Sequence, residues 1–395
     1  MTENVIALLK SSFNDLFNEQ PEFYYFSPGR INLIGEHLDY NGGHVFPAAI
    51  SFGTYAAVSI TDHPIFNFYS LNFKEEPIHS IPNEDLIFDK KHSWTNYAKG
   101  VIKYIEEQTN TTLPKGLNIC VYGNIQNGAG LSSSASLELL IGYIINDIFS
   151  LNLSQLDLIK IGQRVENEFI GLNSGIMDQF AIGMGKESHA ILLNCNDLSY
   201  EYAPLHLKNY SLVIINSNKR RELSDSKYNE RRAECELALQ KLQTKLNIQH
   251  LCDLDVNTYE QNKNLITDIN AQKRAKHVVY ENTRTLEALN ALQNNDLTVF
   301  GKLMNDSHIS LKEDYDVTGK ELDTIFESAI ELDYVLGSRM TGAGFGGCAI
   351  ALVQSDKIKD FKNHVHAQYM KVIGYEPEFY EVNISDGPKK LKEYR

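Results

Sequence analysis

The chain has 395 residues, of which 43% are hydrophobic and 22% charged, a composition typical of a globular protein of more than one domain. Its formal net charge of −14 disfavours nucleic acid as a partner, because a nucleic-acid-binding face is basic. No apolar run approaches the ~20 residues of a membrane span, which disfavours a membrane protein.

The first residues and the cysteines of the chain predict the cellular compartment of the protein. The first residues lack the basic and apolar regions of a signal peptide. The five cysteines have neither disulfide-framework nor zinc-site spacing, so a reducing cytoplasm fits best. We therefore expect a cytoplasmic protein, monomeric, whose partners are small molecules rather than nucleic acid or membrane.

The predicted elements alternate irregularly along the chain. Helices are predicted over 3–18, 94–107, 134–150, 154–169 and 355–370, and over most of 226–335. Strands are predicted over 23–26, 45–60, 65–73, 117–122, 190–194, 200–202, 211–216, 348–353 and 379–384. Without a regular βαβ alternation, this order predicts an α+β fold rather than a doubly wound sheet, with a domain boundary near 205–210.

The segment 28–43 concentrates polar side chains next to apolar ones. Arg30, Glu36, His37 and Asp39 fall within ten positions, among glycines and before an apolar stretch. Polar groups at this density are costly to bury without a partner, and each hydroxyl of a sugar can both donate and accept a hydrogen bond. The segment favours a binding loop, and an ordinary polar surface loop is the alternative.

A glycine- and serine-rich segment, 123–136, lies between a predicted strand and a predicted helix. Its glycines allow the backbone to approach a ligand closely, and the start of the helix presents unpaired N–H groups. Serine hydroxyls add donors for phosphate oxygens and a possible ligand for Mg²⁺. We interpret the segment as a phosphate-binding loop without the lysine of a Walker A motif; the alternative is a glycine-rich turn with serine caps.

A second glycine cluster, 342–347, matches the pattern GxGxxG but precedes a predicted strand. A dinucleotide-binding fingerprint has to open a helix after a strand, so we do not expect a Rossmann site here. We expect this loop to pack against the first glycine loop, near the ligand.

Two carboxylates are candidates for chemistry. Asp178 lies between Met177 and Phe180, so we expect it to be partly buried and to need a cation or a proton. Glu166 lies late in a predicted helix. A helix cap for Asp178 and a solvated position for Glu166 are the alternatives. The twelve histidines lack the spacing of a histidine metal centre.

Three ordered blocks, 29–43, 128–136 and 341–347, together resemble the galactokinase family of the GHMP small-molecule kinases. The first block is the most specific, since Gly35-Glu36-His37-Leu38-Asp39-Tyr40-Asn41 is similar to galactokinases rather than to the superfamily at large. The resemblance implies an N-terminal domain like ribosomal protein S5 domain 2 (1–207) and a ferredoxin-like C-terminal domain (208–395). It places the active site in the cleft between them.

The same resemblance implies the reaction and the site residues. The γ-phosphoryl group of MgATP would pass to the C1 hydroxyl of α-D-galactose, the first phosphorylation of galactose catabolism. Asp178 matches the proton acceptor and Arg30 the transition-state stabiliser. The implied galactose contacts are Glu36, His37, Leu38, Asp39, Gly175, Asp178 and Tyr228. The implied ATP contacts are Ser70, Trp94, Gly128, Ala129, Gly130, Leu131, Ser132, Ser133 and Ser134, and the implied Mg²⁺ ligands are Ser134 and Glu166.

The chain departs from the family pattern at three positions. Gln126 replaces a usual proline, Leu38 a common threonine and Asn194 a frequent aspartate. None is a proposed catalytic residue. Two other functions stay open: a kinase for N-acetylgalactosamine or another galactose-like sugar, and a sensor that binds galactose and ATP without catalysis.

Overall fold

A computed structural model describes residues 2–125, 130–219 and 224–392. The helices are α1 (Thr2–Phe17), α2 (Thr95–Thr109), α3 (Ser133–Phe149), α4 (Gln155–Arg164), α5 (Met177–Gly183), α6 (Ser224–Gln243), α7 (Val256–Asn262), α8 (Ile269–Gln293), α9 (Leu297–Ser310), α10 (Gly319–Ile330) and α11 (Ile358–Ile373). The strands are β1 (Phe23–Asn32), β2 (His44–Val45), β3 (Pro47–Ile60), β4 (Ile65–Ser70), β5 (His79–Pro82), β6 (Leu117–Gly123), β7 (His189–Asn194), β8 (Tyr200–Pro204), β9 (Tyr210–Asn216), β10 (Val335–Thr341), β11 (Cys348–Gln354), β12 (Glu378–Glu381) and β13 (Lys389–Lys390).

The largest sheet has the strand order β13-β1-β3-β6-β4-β5 and is covered on both faces. Tyr24 and Phe26 of β1 pack with Phe13 of α1. Tyr25 faces the opposite side, where its ring lies 6.1 Å from that of Tyr143 in α3. Because successive side chains of a strand point to opposite faces, burial of both faces makes β1 apolar along most of its length.

A four-stranded sheet with the order β10-β11-β9-β12 forms the second part of the fold. On one face Ala349 and Ala351 of β11 join the cluster that contains Phe361 of α11. On the other face Ile350 joins the cluster that contains Phe300 of α9. This sheet is therefore also enclosed between helices.

The order of the strands confirms an α+β fold. Strands β4 and β6 run parallel, whereas the other strand pairs of the described residues are antiparallel. A three-stranded sheet, β2-β7-β8, completes the architecture. Among the described residues, no helix is long and apolar enough to span a membrane.

The proposed boundary at 207/208 separates the first sheet from β9, but the end of the chain returns to the first sheet. Strand β13 pairs with β1, and Ile384 forms a bridge with Ile50. Domain limits as such stay a prediction.

Several elements differ from the sequence-based expectation. Strand β1, predicted over 23–26, continues through Pro28 and Gly29, where the register shifts at a bulge. The predicted helix 154–169 becomes a π-helical turn at Val165–Ile170, which carries Glu166. Helix α5, of seven residues, and strands β5, β10 and β13 were not predicted, because short segments carry little periodic signal.

Candidate active site

Arg30 of β1 and Asp178 in the first turn of α5 form a two-point ion pair. Nε of Arg30 donates to Oδ1 of Asp178 at 2.9 Å, and Nη2 donates to Oδ2 at 3.0 Å. Nη1 of Arg30 donates to the carbonyl of Gly130 at 2.7 Å, and the hydroxyl of Ser132 donates to Asp178. The pair therefore joins the first sheet to the glycine- and serine-rich loop.

A cavity of about 160 Å³ opens beside this pair; we call it the sugar cavity. The residues predicted to contact galactose line it, except Leu38: Glu36, His37, Asp39, Gly175, Asp178 and Tyr228. Leu38 is fully buried in the core, and its carbonyl accepts hydrogen bonds from Asn41 N and Gly43 N, each at 3.0 Å. A contribution from Leu38 would therefore come from the backbone. Ser174, Met177, Gly342 and Ala343, which were not predicted, also line the cavity.

Glu36 is held by groups distant in the chain. Its Oε1 accepts from Gly342 N at 2.6 Å, and its Oε2 accepts from Nη2 of Arg339 at 2.9 Å and from the amide of Asn32. Burial raises the pKa of Glu36, while the charge of Arg339 acts in the opposite direction. Both carboxylate oxygens thus have protein partners before any sugar is present.

His37 has a backbone conformation that is unusual outside glycine, with φ at 65°. Its Nδ1 lies 2.8 Å from the hydroxyl of Tyr40, which lies 2.9 Å from that of Tyr315. Its Nε2 is buried and has no hydrogen-bond partner within the described ranges. Burial lowers the pKa of His37 to about 3, so the ring is neutral and Nε2 is available to a sugar hydroxyl.

Asp39 and Gly175 meet at the wall of the sugar cavity. A Cβ on Gly175 would lie 1.9 Å from Oδ2 of Asp39, so this approach requires glycine. Burial, followed by the charge of Asp178, raises the pKa of Asp39 to about 7. Asp39 is therefore a carboxyl group that titrates near neutral pH.

A second cavity, of about 170 Å³, also has the ion pair in its wall; we call it the phosphate cavity. Gly130 and Ser132, Ser133 and Ser134 line it together with the ion pair. Helix α3 begins at Ser133, so its unpaired N–H groups are available to an anion. The side chain of Leu131 is buried in the core, and its carbonyl accepts from Arg30 N at 3.2 Å. Gly128 and Ala129, also predicted ATP contacts, lie outside the described residues.

Ser134 and Glu166, the predicted Mg²⁺ ligands, are adjacent. The hydroxyl of Ser134 donates to Oε1 of Glu166 at 3.0 Å, and that of Ser174 donates to Oε2 at 2.5 Å. Burial raises the pKa of Glu166, so a cation at this carboxylate would be stabilising. Hydroxyl and carboxylate oxygens suit Mg²⁺, which binds few protein groups and completes its shell with phosphates and water. The described residues contain no group of three or more His, Cys, Asp or Glu that could hold a metal.

A third cavity, of about 240 Å³, adjoins the start of α3; we call it the nucleotide cavity. Ser70 and Trp94 line it, as do Ser133 and Ser134, which it shares with the phosphate cavity. Nε1 of Trp94 is buried and has no hydrogen-bond partner in the described part of the chain. Lining residues that sequence analysis missed are Thr54, Asn72, Phe73, Tyr97, Val121, Gly123, Ile125 and Leu137.

The second glycine cluster lies against the first. A Cβ on Gly342 would lie 3.0 Å from the carbonyl of Gly130, and Ala343 lines both the sugar cavity and the phosphate cavity. The phosphate cavity shares the ion pair with the sugar cavity, and it shares Ser133 and Ser134 with the nucleotide cavity. It therefore adjoins both of the other cavities. Three adjoining cavities in this order can hold a phosphoryl acceptor, a phosphate chain and a nucleobase.

Three family models match this chain. The galactokinase galactose-binding signature matches residues 11–60, the N-terminal domain of GHMP kinases matches 96–186, and the C-terminal domain matches 287–371. The first contains Arg30 and the segment 36–39, and the second contains Ser134 and Asp178.

Similar proteins cover nearly the whole chain. The galactokinase of Streptococcus suis is 56% identical, over 97% of this chain and 98% of its own, and that of Clostridium beijerinckii is 55% identical, over 98% and 99%. The crystal structure of Lactococcus lactis galactokinase complexed with galactose has a TM-score of 0.95 at 47% identity, covering 98% of this chain and 100% of that one. A mevalonate kinase of Methanococcus jannaschii, at 20% identity and a TM-score of 0.67 over 92% of this chain and 98% of its own, shares the fold alone.

Proposed function

Because the chain belongs to the galactokinase family of GHMP kinases, we propose that it transfers the γ-phosphoryl group of MgATP to the C1 hydroxyl of α-D-galactose. The products are α-D-galactose 1-phosphate and ADP, and the reaction is the first phosphorylation of galactose catabolism. The observation that carries this proposal is the Arg30–Asp178 ion pair, which lines both the sugar cavity and the phosphate cavity. Acceptor and donor would meet at this pair.

Asp178 orients the C1 hydroxyl and accepts its proton. Phosphoryl transfer passes through a loose transition state, in which positioning and charge neutralisation provide most of the catalysis. A hydroxyl oxygen releases its proton more readily as its bond to phosphorus forms, so the proton moves to Asp178 late. Ser132 and Arg30 hold the carboxylate in place through the hydrogen bonds described above.

Arg30 stabilises the charge that develops on the transferred phosphoryl group. Its guanidinium lines the phosphate cavity and is fixed by three hydrogen bonds, so little reorganisation is needed during the reaction. The charge of Arg30 therefore acts on both reactants.

Galactose is held by the sugar cavity. Nε2 of His37 and the carboxylate of Asp39 bond its hydroxyls, Gly175 leaves room for Asp39, and Tyr228 closes one wall. Glu36 contributes a carboxylate that already accepts bonds from the protein. Leu38 contributes through its backbone.

The nucleotide lies along the other two cavities. Trp94 packs against the adenine and Ser70 lies at the nucleotide, while the loop 128–134 binds the phosphates. Ser134 and Glu166, which are hydrogen-bonded to each other, would hold Mg²⁺. When bound, the ion neutralises charge on the phosphate oxygens. The loop, Arg30 and the start of α3 position the same oxygens.

The domain limits 1–207 and 208–395 belong to the same proposal. They are supported by the positions of the matched GHMP N-terminal and C-terminal segments, which fall on either side of the boundary. We also propose a cytoplasmic location, supported by five cysteines that are free thiols in the described structure. That the protein is a monomer stays a prediction, which analytical ultracentrifugation can test.

Release of ADP, measured with MgATP and a panel of hexoses, tests the function. We expect turnover with galactose and its loss when EDTA removes the metal. Faster turnover with N-acetylgalactosamine would favour the related-sugar kinase. Binding of galactose and ATP without turnover of any sugar would contradict the kinase and favour a sensor.

A further inference from the structure

Arg339 of β10 is a completely buried guanidinium whose polar atoms all point to partners. Nη2 donates to Glu36 at 2.9 Å, Nη1 donates to the carbonyl of Asn32 at 3.0 Å, and Nε donates to the hydroxyl of Ser307 at 3.2 Å. Arg339 and Glu36 are 0% and 1% exposed, and 303 positions separate them in the chain. This pair therefore connects the second sheet directly to the sugar-binding segment.

The network continues into a second ion pair, between the fully buried Glu281 and the partly exposed Arg284. Glu281 of α8 accepts from the hydroxyl of Ser307 and from Gly35 N, the latter at 3.0 Å. Its other oxygen accepts from Nε of Arg284 at 2.7 Å. Two arginines thus alternate with two glutamates from Arg284 to Glu36, and the hydroxyl of Ser307 connects Glu281 to Arg339.

This network holds two consecutive residues of the sugar-binding segment. Glu281 binds the backbone of Gly35, and Arg339 binds the side chain of Glu36. Gly35 and the next residue but one, His37, both have positive φ, at 96° and 65°. Since a left-handed conformation is unfavourable for histidine, the surrounding contacts have to impose it.

Stability alone does not account for the network. Desolvation of two buried charges offsets much of their attraction, and apolar replacements of such pairs are often neutral or stabilising. A directional set of hydrogen bonds, in contrast, specifies where the backbone lies. The network is therefore best suited to fixing the geometry of residues 35–37.

We propose that Arg339 is a positioning residue for the sugar, which acts through Glu36 to hold His37 and Asp39 in their binding conformation. Arg339 does not line the sugar cavity among the described residues, so it acts without touching the substrate. The inference rests on the proposed function, since it assigns the sugar cavity to galactose. It adds a group outside the cavity that determines galactose affinity.

Steady-state kinetics of Arg339→Met, with galactose and MgATP varied separately, tests this role. We expect KM for galactose to rise by about 10- to 100-fold, the range observed for outer partners that orient metal ligands, with KM for ATP within about twofold of wild type. Arg339→Lys keeps the charge but loses the planar guanidinium that makes the three hydrogen bonds. It should give a smaller rise in KM for galactose. Phe361→Ala is the matched control, because this buried ring of α11 supports the same half of the molecule without contacting the cavities.

A double-mutant cycle with Glu36→Gln separates positioning from a general loss of structure. If Arg339 acts through Glu36, Arg339→Met changes KM for galactose by no more than about twofold in the Glu36→Gln background. Equal increases in both KM values, or the same increase in Phe361→Ala, would overturn the inference. Full additivity in the cycle would overturn it as well.

Replacement variants and the turnover of the wild type separate a failure of the role of Arg339 from a failure of the proposed function. Should Arg339→Met fail to fold, Arg339→Lys and Ser307→Ala take its place, and an unchanged KM for galactose in both contradicts the inference. Absence of galactose turnover in the wild type would contradict the proposed function itself. Turnover in the wild type, with no selective effect in the variants, would contradict only the role of Arg339.

Discussion

The nucleotide cavity and the sugar cavity are built in different ways. The nucleotide cavity is lined by residues between positions 54 and 137, among them Trp94, Phe73 and Ser70, and therefore by one sheet and the helices next to it. The sugar cavity draws its lining residues, most of them charged or polar, from positions 30 to 343. One site is local and rich in aromatic and aliphatic groups, and the other depends on contacts across the chain.

This difference indicates where each substrate obtains its affinity. An adenine ring needs a flat apolar surface, which a strand and a helix can supply by themselves. A sugar needs several directed polar groups, and buried polar groups have to be fixed by others. Substitutions on the nucleotide side should therefore change KM for ATP selectively, whereas the sugar side responds to residues far from the cavity.

Asp178, which lines both the sugar cavity and the phosphate cavity, should give the largest effect. We expect Asp178→Asn to lower kcat by about 10²- to 10⁴-fold, because the proton acceptor is lost while the shape of the side chain is kept. Rapid-quench and steady-state assays measure kcat, and calorimetry should show that galactose and ATP still bind. Near-normal turnover in Asp178→Asn, with activity abolished in Arg30→Ala, would contradict the assignment of the base.

The substitution Trp94→Ala tests whether the nucleotide cavity acts independently of the sugar cavity. We expect Trp94→Ala to raise KM for ATP by about 5- to 150-fold, since stacking of a base on an aromatic ring contributes about 1–3 kcal/mol. KM for galactose should stay within about twofold. Phe88→Ala, which removes a half-exposed ring from the loop before Trp94, is the control and should leave both values unchanged. Parallel increases in both KM values would contradict the independence of the two cavities.

The smallest predicted effect is a pH dependence confined to the sugar side. Burial raises the pKa of Asp39 to about 7, so its carboxyl group loses its proton as the pH rises from about 6 to 8. If the ionised form binds galactose, KM for galactose falls by up to about tenfold over this range, while KM for ATP does not follow. His37, with its pKa lowered to about 3, is neutral throughout and cannot produce this change.

The pH profile of Asp39→Asn supplies the control. Because an amide does not titrate in this range, we expect the variant to bind galactose more weakly but with a flat profile. A sloping profile in Asp39→Asn would assign the titration to another group. A flat profile in the wild type would contradict the role of ionised Asp39.

Local sequence patterns were sufficient to predict most helices, and they also gave the hypothesis of a phosphate-binding loop. The start of α4 was predicted at position 154, where Ser154 forms a capping box with Asp157. The loop before α3 was predicted from its glycines and serines. Such features depend on residues a few positions apart, so they can be recognised without the fold.

Residues that act through distant partners were missed for the opposite reason. Sequence analysis identified Glu36 but not Arg339, because 303 positions separate the two and nothing in the local pattern of β10 indicates an ion pair. Ser174 and Met177, next to the predicted Gly175 and Asp178, line the sugar cavity without an individual signal.

The sequence by itself determined the α+β class and the family, through three short blocks, and it predicted most of the candidate site residues. Each of these depends on residue type and short-range spacing. Only the tertiary structure decided that Arg30 and Asp178 pair, that Asp39 has a pKa of about 7 and that Leu38 belongs to the core. Burial and the charges that surround a group set its pKa and its partners, and both arise only when distant segments pack together.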